Sequence, residues 1–411
     1  MTQKPRGTED IYNEKAKQYF ALEMIIRNIA DNFNYSEIIT PTFEHSELFK
    51  NNVGETTDIV TKEMYNFLDK KNRELTLKPE GTVPTVRAVI ENKLYIAENL
   101  PLKLFYFSSM YRYERPQKGR MRQFNQFGVE VFGPNSPELD SELISFCYMI
   151  LNSIGLNGYS LHINYIVTGE ERLKYIEDLK KYLSKKKLCE DCNIRINKNP
   201  LRVIDCKIDR NQFEDIIDMK DYISDFDKNF YNSFKRNLKN IGIDYIEDKK
   251  LVRGLDYYTG IVFEIDDENG VAIIGGGRYN TLFEKMSNIS LPASGFGIGI
   301  ERLLLSLDKQ NITLYEEYEL DAFIIALTDK AKAFSNILLL MLRNNNLKVD
   351  FEYMNKSLKS GFKSSEKYNP KNIIIVGDNE IAEQTVIVKN QKSKKEEKIK
   401  IEKIVEYLKK E

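Results

Sequence analysis

The sequence predicts an α+β protein, with a large unit built on a predominantly antiparallel sheet with flanking helices and a small α/β unit at the C-terminal end. Two β-rich runs, 102–113 and 122–132, flank a short basic loop in the manner of a hairpin. Two later segments, 270–286 and 291–307, each predict a strand that passes through glycine into a helix. Beyond about residue 318, short apolar strands alternate with helical stretches, which is typical of an α/β unit.

The division into two units agrees with the length, because 411 residues can bury one large core and a second, smaller one. We place the first unit at 1–318 and the second at 319–411. From about residue 160 the chain is rich in lysine, asparagine and aspartate, which predicts a mostly helical insertion over about 165–240. Residues 320–411 hold 18 Lys+Arg and 13 Asp+Glu in a chain of net charge −1, and this local positive balance permits contact with RNA.

Individual elements follow from residue spacing. A helix is expected over 13–33, where apolar residues recur at helical intervals at Tyr19, Leu22, Ile26 and Ile29. Residues 35–44 favour β structure, with Pro41 at a strand edge or an interface because it has no N–H to donate. Residues 74–91 predict a strand, a turn and a helix, and 248–265 again favour β structure. The closing segment, 389–411, predicts a hairpin and a solvated helix.

The strand 122–132 has one apolar and one polar face. The apolar positions are Phe127, Val129 and Val131. The polar face carries Gln126, Gly128 and Glu130. A polar face that includes a glycine resembles the floor of a pocket, because glycine lets a ligand approach the backbone.

Composition excludes several classes of protein. No run approaches 18 apolar residues, and the first residues mix charge with turn formers. We therefore expect neither a membrane span nor a signal peptide, and a cytoplasmic location. The two histidines, His45 and His162, lie in no catalytic motif, which argues against Ser–His or Cys–His nucleophilic chemistry. Arginines and carboxylates are left to carry the chemistry.

Four cysteines are too few for a disulfide framework, which agrees with a reducing compartment. Cys189, Cys192 and Cys206 supply at most three close ligands, and neither histidine has the spacing of a metal motif. We therefore expect ordinary thiols and no metal centre made of cysteines, although the sequence leaves open whether these three bind a metal.

Four regions combine a polar group on a strand, a nearby arginine and one or more glycines. They are 79–88, 111–132, 252–260, and 275–280 together with 295–304. Planar guanidinium groups, which can bind two phosphate oxygens at once, are present on Arg112, Arg120, Arg253 and Arg302. Glu80 and Glu130 suit an ammonium group or a ring N–H. Together these regions predict a site for one anionic and one cationic ligand.

Each region alone has a simpler interpretation. Residues 79–82 suit a helix N-cap with Thr82 as the capping residue, and 275–280 suit a tight turn. Arg253 suits a surface arginine before a glycine turn. Residues 295–302 lack the G-x-G-x-x-G spacing and the following acid of a dinucleotide loop, which disfavours that function.

The order and the sequences of these regions resemble those of the class II aminoacyl-tRNA synthetases and, within them, the bacterial type of the histidyl-tRNA synthetase family. The helix and strand around Pro41 resemble the dimer-forming first motif, YRYERPQKGRMRQFNQFGVEVFG the second, and SGFGIGIERLL the third. LVRGLDYYTG and PEGT resemble signatures of the histidine branch. KSLKSGFKSSEKY and IIIVGDNE resemble the family's anticodon-binding domain. The resemblance covers nearly the whole chain and implies a class II catalytic fold followed by an anticodon-binding domain.

The resemblance also implies the activity. It implies a ligase that activates L-histidine with ATP and Mg²⁺ to histidyl-adenylate and pyrophosphate, then transfers histidine to the 3′ end of tRNA(His). A homodimer is implied as well. The alternative is a non-catalytic regulatory subunit of histidine biosynthesis, which has a degraded histidine signature and no anticodon domain. A kinase-fused RNA sensor is disfavoured because the sequence contains no kinase segment.

Site residues follow from the resemblance, motif by motif. The implied histidine-binding residues are Glu80, Gly81, Thr82, Gln126, Glu130, Tyr257, Tyr258 and Tyr279. Of these, Glu80, Thr82 and Gln126 would hold the α-ammonium, whereas Glu130, Tyr258 and Tyr279 would read the imidazole. The implied ATP-binding residues are Arg112, Glu114, Arg120, Phe124 and Arg302, with Phe124 stacked on adenine. Arg253 and Arg112 are the implied catalytic residues, acting at the α-phosphate. Arg115 and Gln117 are implied contacts to the tRNA acceptor end.

Overall fold

The computed structural model describes residues 2–315, 320–354 and 357–410, which belong to two compact units, Met1–Tyr315 and Glu316–Glu411. The sequence-based division between 318 and 319 lies outside the described residues. Within the described residues, no helix has the length and apolar character needed to cross a membrane.

Strands of the larger unit form two sheets. They are β1 Ser36–Glu37, β2 Phe43–His45, β3 Tyr65–Leu68, β4 Glu74–Leu77, β5 Leu102–Tyr111, β6 Gln123–Phe132, β7 Ser160–Ile166, β8 Ile246–Glu247, β9 Gly260–Asp266, β10 Ala272–Arg278 and β11 Ala293–Gly299. The main sheet has eight strands in the order β1-β5-β6-β11-β10-β9-β7-β8, and the small one has the order β2-β4-β3. In the main sheet only the two outermost pairs, β1·β5 and β7·β8, are parallel. The predicted antiparallel sheet is thus confirmed.

Helices of the larger unit flank this sheet. They are α1 Asn13–Asn32, α2 Ser46–Val53, α3 Thr82–Glu91, α4 Pro137–Ser153, α5 Gly169–Leu183, α6 Glu190–Lys198, α7 Leu201–Ile204, α8 Asp225–Asn240, α9 Asn280–Ser287 and α10 Ile300–Lys309. One continuous hydrophobic core joins them to the sheet, with Phe127, Phe146 and Phe296 in mutual aromatic contact at its centre. The apolar side of β6 therefore faces the core and leaves its polar side free for a site.

The hairpin predicted over 102–132 is present. Strands β5 and β6 pair antiparallel from Leu102 opposite Phe132 to Tyr111 opposite Gln123, with the basic loop between them. The predicted helix over 13–33 is α1, and the predicted strand, turn and helix over 74–91 are β4 and α3. Pro41 lies between β1 and β2 and belongs to neither strand.

Two segments differ from the sequence-based expectation. β7 is a buried strand of the main sheet, whereas the polar composition from residue 160 predicts helices; those begin only with α5. Over 248–265, strand structure begins at Gly260, and the preceding residues form a loop. That loop carries Arg253, Tyr257 and Tyr258, and functional residues are often held on loops above a rigid sheet.

The smaller unit is an α/β layer structure. Its strands are β12 Ala322–Ala326, β13 Val349–Phe351, β14 Asn372–Val376, β15 Thr385–Asn390 and β16 Glu396–Lys400, and its helices are α11 Asp329–Asn344, α12 Leu358–Ser365, α13 Asp378–Ala382 and α14 Ile404–Lys410. Three parallel strands in the order β13-β12-β14 are extended by the antiparallel hairpin β15–β16. The hairpin agrees with the prediction for 389–411. The final helix is not simply solvated, because Ile404 and Leu408 are buried in the core of this unit.

Candidate active site

A deep cleft lies on the polar side of the main sheet. It encloses about 1110 Å³ including its open mouth, and β6, β9, β10 and β11 form its floor. Gln126 and Glu130 point into it from β6. The loop before β9 contributes Arg253, and β9 itself contributes Glu264. The lining combines two buried carboxylates, Glu80 and Glu130, with a group of arginines that is accompanied by the carboxylates Glu114, Glu264 and Glu301.

Glycines on β10 and β11 make room for the polar side chains of the cleft. A Cβ atom at Gly295 would lie 2.4 Å from Oε2 of Glu130, and one at Gly297 would lie 2.2 Å from Nε2 of Gln126. A Cβ atom at Gly275 would lie 2.0 Å from the Arg253 guanidinium. Three polar side chains of the cleft therefore lie against glycine backbone, and any larger residue at these positions would displace them.

Glu130 is buried at the acidic end of the cleft. Its carboxylate accepts a hydrogen bond from the Thr82 hydroxyl at 2.7 Å and another from the Tyr279 hydroxyl. Burial raises the pKa of Glu130 to about 8, against the opposing effect of these two donors. Such a carboxyl has a strong need for a cationic or N–H-bearing ligand.

Glu80 occupies the N-terminus of α3. Its two carboxylate oxygens accept hydrogen bonds from the backbone N–H groups of Thr82 and Val83, each at 2.9 Å. The Tyr257 hydroxyl donates to it at 3.3 Å. Burial raises its pKa despite these donors. The expectation that Thr82 caps this helix is wrong: Glu80 supplies the carboxylate that caps α3, and the Thr82 hydroxyl is free to bind Glu130.

Two buried polar atoms in the cleft lack partners among the described residues: Oε1 of Gln126 and Nε of Arg253. Arg253 is not a surface arginine, since its side chain is only 18% exposed. It donates to Glu264 and lies 5.8 Å from the ring centre of Tyr258. A buried acceptor and a buried donor without protein partners, both on residues that line the cleft, favour a polar ligand.

Arginines gather at the other end of the cleft. Arg112 donates to the backbone oxygen of Pro79 at 2.8 Å, and its guanidinium carbon lies 5.2 Å from the ring centre of Phe124. Arg302 donates to the Ala272 oxygen at 2.7 Å. Burial lowers the pKa of Arg302, and the nearby charge of Arg120 lowers it further. Mutual repulsion of this kind is relieved by a polyanion such as a triphosphate.

The cleft brings together most of the residues implied by the resemblance. Those that line it are Glu80, Thr82, Arg112, Glu114, Arg120, Phe124, Gln126, Glu130, Arg253, Tyr257, Tyr258, Tyr279 and Arg302. Three implied residues do not line it. Gly81 is the N-cap of α3 and does not line the cleft. Arg115 and Gln117 are exposed on the loop between β5 and β6.

Among the polar side chains that line the cleft, sequence reasoning did not name Tyr106, Glu264 and Glu301. Tyr106 lies on β5 directly opposite Gly128, and a Cβ atom at Gly128 would meet its ring at 2.3 Å. A bulky residue paired with a glycine across the hairpin could therefore have indicated that Tyr106 lies over Gly128 in the cleft. Glu301 accepts two hydrogen bonds from the Asn125 backbone N–H at 2.9 Å and so fixes the start of β6.

Comparison with known proteins agrees with this geometry. Residues 7–169 and 227–303 match the family described as histidyl-tRNA synthetase, and 321–411 match the family described as anticodon binding domain. The chain belongs to the histidyl-tRNA synthetase family. The segment between the two matched parts of the first family lies within the range predicted for the helical insertion, about 165–240.

Several members of this family are similar to the chain over its full length. A histidine–tRNA ligase of Mesoplasma florum is 51% identical over 100% of this chain and 90% of its own length. One of Mycoplasma mycoides subsp. mycoides SC is 48% identical over 100% of both. The crystal structure of an S. aureus histidyl-tRNA synthetase without ligand superposes with a TM-score of 0.84 at 36% identity, covering 100% of both chains.

A structure described as an ATP phosphoribosyltransferase regulatory subunit/histidyl-tRNA synthetase from Bacillus halodurans has a TM-score of 0.66 at 22% identity. It covers 92% of this chain and 98% of its own. At this identity the likeness shows the fold alone. Distinguishing a synthetase from its regulatory relatives therefore depends on the residues of the cleft.

Proposed function

We propose that this histidyl-tRNA synthetase family member is a catalytically active histidine–tRNA ligase, which forms histidyl-adenylate from L-histidine and ATP and transfers histidine to the 3′ end of tRNA(His). The observation that carries the proposal is one cleft with a buried acidic end built around Glu130 and an arginine-rich end built around Arg112 and Arg302. Histidine fits the first end, and the triphosphate of ATP fits the second.

Histidine is proposed to lie between Glu80 and Glu130. Glu130 would accept the imidazole N–H, with Tyr258 and Tyr279 beside the ring. The unpaired oxygen of Gln126 would accept from the α-ammonium, alongside Glu80 and Thr82. Because these groups are buried, an analogue without the ring N–H would leave Glu130 with only its Thr82 and Tyr279 donors, and the lost hydrogen bond would give specificity.

ATP is proposed to lie across the arginine end. Arg112 would bind the α-phosphate, Arg120 and Arg302 the distal phosphates, while Phe124 would stack on adenine and Glu114 would lie near its amino edge. Mg²⁺ is proposed as the counter-ion of the triphosphate, in keeping with the carboxylates Glu114 and Glu301 that line this end. The chemistry supplied by Mg²⁺ would be neutralisation of phosphate charge.

The reaction needs positioned cations more than a proton acceptor. The histidine carboxylate attacks the α-phosphorus, negative charge grows on the phosphoryl oxygens, and pyrophosphate leaves. Arg253 lies between the two ends of the cleft with its Nε unpaired among the described residues, so it is proposed to bridge the carboxylate and the α-phosphate.

Gly295→Ala should displace Glu130, because the new Cβ would lie 2.4 Å from its carboxylate and 2.1 Å from the Val129 carbonyl oxygen. Overpacking of this kind costs about 1–3 kcal/mol, so the KM for histidine should rise by about 5–150-fold. Ser294→Ala is the matched control, since Ser294 lies on the opposite face of β11 with a buried hydroxyl that has no partner in the described structure. Pyrophosphate-exchange kinetics measure both. Equal KM values for the two variants would refute the packing argument.

The second unit, proposed to span 319–411, is assigned to the tRNA anticodon, and Arg115 and Gln117 to the acceptor end. Deletion of this unit should leave adenylate formation largely intact but lower kcat/KM for tRNA charging by about 10²-fold or more, because its contacts act on the RNA alone. Single-turnover adenylate formation and tRNA charging on the same preparation test this. Parallel loss of both activities would contradict the modular assignment.

The protein is proposed to act as a homodimer in the cytoplasm. α1 and the segment that follows it expose large apolar side chains, among them Phe20, Met24, Ile39 and Phe43. If these side chains were buried together in a subunit interface, they would stabilise the dimer more than scattered surface residues could. Sedimentation should give twice the chain mass of 48.0 kDa, and Ile39→Asp should shift the protein towards monomer. A monomeric wild type at micromolar concentration would overturn the assignment.

The full reaction tests the proposed function. Purified protein should charge tRNA(His) with histidine in an ATP-dependent manner and leave other tRNAs uncharged. A regulatory subunit would charge none. Failure of a folded, nucleotide-binding preparation to charge tRNA(His) would therefore favour the regulatory alternative.

A further inference from the structure

The helical insertion brings three thiols and one carboxylate to a single point. The Sγ atoms of Cys189, Cys192 and Cys206 and a carboxylate oxygen of Asp209 all lie within 4.8 Å of one another. Cys192, Cys206 and Asp209 are buried. The sequence predicts ordinary thiols and leaves open whether these three cysteines bind a metal. Sequence reasoning counted three ligands and missed Asp209, because a lone aspartate after the last cysteine carries no recognisable metal signature.

We propose that Cys189, Cys192, Cys206 and Asp209 bind one structural zinc ion. Zinc–sulfur bonds of about 2.3 Å in a tetrahedron place the sulfurs about 3.8 Å apart. The Sγ atoms of Cys189 and Cys206 are separated by 3.8 Å. Four convergent donors fill a tetrahedral shell and leave no open position, as in structural rather than catalytic zinc sites. Thiolate-rich sets of this geometry favour zinc over magnesium or calcium.

The charge of Asp209 needs a cation. Asp209 is only 2% exposed. Burial of a carboxylate without a counter-charge has a high cost in free energy. The adjacent arginine does not serve, because Arg210 pairs with Asp248 at 2.9 Å and with Asp205 at 4.0 Å. A divalent ion held by the thiolates would supply the missing positive charge.

The carboxylate of Asp209 is also oriented in advance. The backbone N–H of Cys189 donates to its Oδ2 at 3.1 Å, and Nε2 of Gln212 donates to its Oδ1 at 3.2 Å. Hydrogen bonds of this kind fix metal-binding carboxylates in known sites. A Cys189–Cys206 disulfide would require a separation near 2.05 Å and would leave Cys192 and Asp209 without a role.

The ion would close a segment that supports the cleft. Between Cys189 and Cys206 lie α6, α7 and the residues that join them, and two side chains of this segment hold the loop that carries Arg253. Nδ2 of Asn199 donates to both carboxylate oxygens of Asp256 at 3.1 Å, and Arg202 donates to the Gly254 oxygen. The proposed zinc ion therefore stabilises the insertion, and the insertion in turn holds the loop that carries Arg253.

The test is the zinc content of the full chain, purified without a histidine tag, incubated with Zn²⁺ and passed through gel filtration. About one zinc per chain is expected in the wild type, and loss of most of it in Cys192→Ser and Cys206→Ser. Cys147→Ala is the matched control, because Cys147 is a buried cysteine of α4 far along the chain, and it should keep its zinc. Asp209→Asn should bind zinc more weakly while preserving the volume and the backbone hydrogen bond of the site.

Co²⁺ substitution gives a second readout that does not depend on variants. Thiolate-to-cobalt charge-transfer bands of tetrahedral coordination are expected in the wild type and should weaken in Asp209→Asn. The proposal is overturned if the wild type retains no zinc and shows no such bands. It is also overturned if Cys206→Ser holds as much zinc as the wild type, which would mean adventitious binding, or if thiol alkylation and mass spectrometry find a Cys189–Cys206 disulfide in protein kept under reducing conditions.

Discussion

Replacing Arg253 with alanine is expected to slow histidyl-adenylate formation by about 10²–10³-fold, the usual cost of losing one preorganised donor at a developing charge. This corresponds to roughly 3–4 kcal/mol of transition-state stabilisation. The effect should appear mainly in kcat, because the interaction of the guanidinium with the phosphoryl oxygens becomes stronger only as negative charge develops on them. The binding of ATP should change much less.

The structure gives the reason for the size of this effect. Arg253 is held by Glu264 on one side and lies against the backbone of Gly275 on the other, so its position is fixed before substrate arrives. Its Nε is buried and unpaired among the described residues. Lysine at this position should rescue only part of the rate, because a point charge cannot bridge two oxyanions as a planar fork does.

Single-turnover adenylate formation with both substrates saturating measures the effect on folded protein. Arg115→Ala is the matched control. Arg115 is an exposed arginine outside the cleft, and its loss should leave adenylate formation unchanged but weaken the use of tRNA. Transfer from preformed adenylate should be less affected by Arg253→Ala. A single-turnover rate within about threefold of wild type, well short of the range for a lost donor, would remove Arg253 from the catalytic residues.

Glu130→Gln should stabilise the ligand-free fold at neutral and higher pH while it weakens histidine binding. The pKa of Glu130 is about 8 in the fold, against about 4.3 in an unfolded chain. The folded state therefore holds the proton more tightly, so the stability due to this group is fully present below about pH 4.3 and is lost as the pH rises to about 8. Glutamine cannot ionise and does not show this loss.

The expected size follows from about 1.4 kcal/mol per pH unit. Between about pH 5.5 and about pH 8, the free energy of unfolding of wild type should fall by about 3 kcal/mol relative to the glutamine variant. Histidine affinity should fall by about 10–100-fold in the variant, because a neutral amide replaces the carboxylate beside the imidazole. Denaturant titrations at the two pH values, with histidine titrations on the same preparations, measure both quantities.

Tyr279→Phe is the control for this prediction. It removes one hydrogen bond to Glu130 but keeps the ionisable group, so the pH dependence should persist. A difference in stability between wild type and Glu130→Gln that does not vary with pH would show that Glu130 titrates normally. Unchanged histidine affinity in Glu130→Gln would remove Glu130 from the proposed pocket.

Local pattern was sufficient to predict much of the fold. The alternation along 122–132 placed Gln126 and Glu130 on one face, and β6 presents that face to the cleft. Helical spacing predicted α1, and glycine between strand and helix predicted β10 and β11 with the helices that follow them. These signals succeed because periodic burial and backbone freedom are properties of neighbouring residues.

The remaining features depend on contacts between distant segments. β7 was missed because its pairing with β9 is long-range and its neighbours in sequence are polar. Glu264 carries no motif, and only the fold places it against Arg253. Asp209 likewise meets the three thiols only after α6 and α7 have folded back on the chain. Composition and spacing contain no information about such encounters.

Histidine-dependent ATP–pyrophosphate exchange is the decisive measurement, because it reports adenylate formation in the cleft and needs no tRNA. We expect exchange that requires histidine, that other amino acids do not support, and that Arg253→Ala reduces by about 10²–10³-fold. No exchange above background from folded protein with histidine, ATP and Mg²⁺ would contradict it and would identify the cleft as that of a non-catalytic relative.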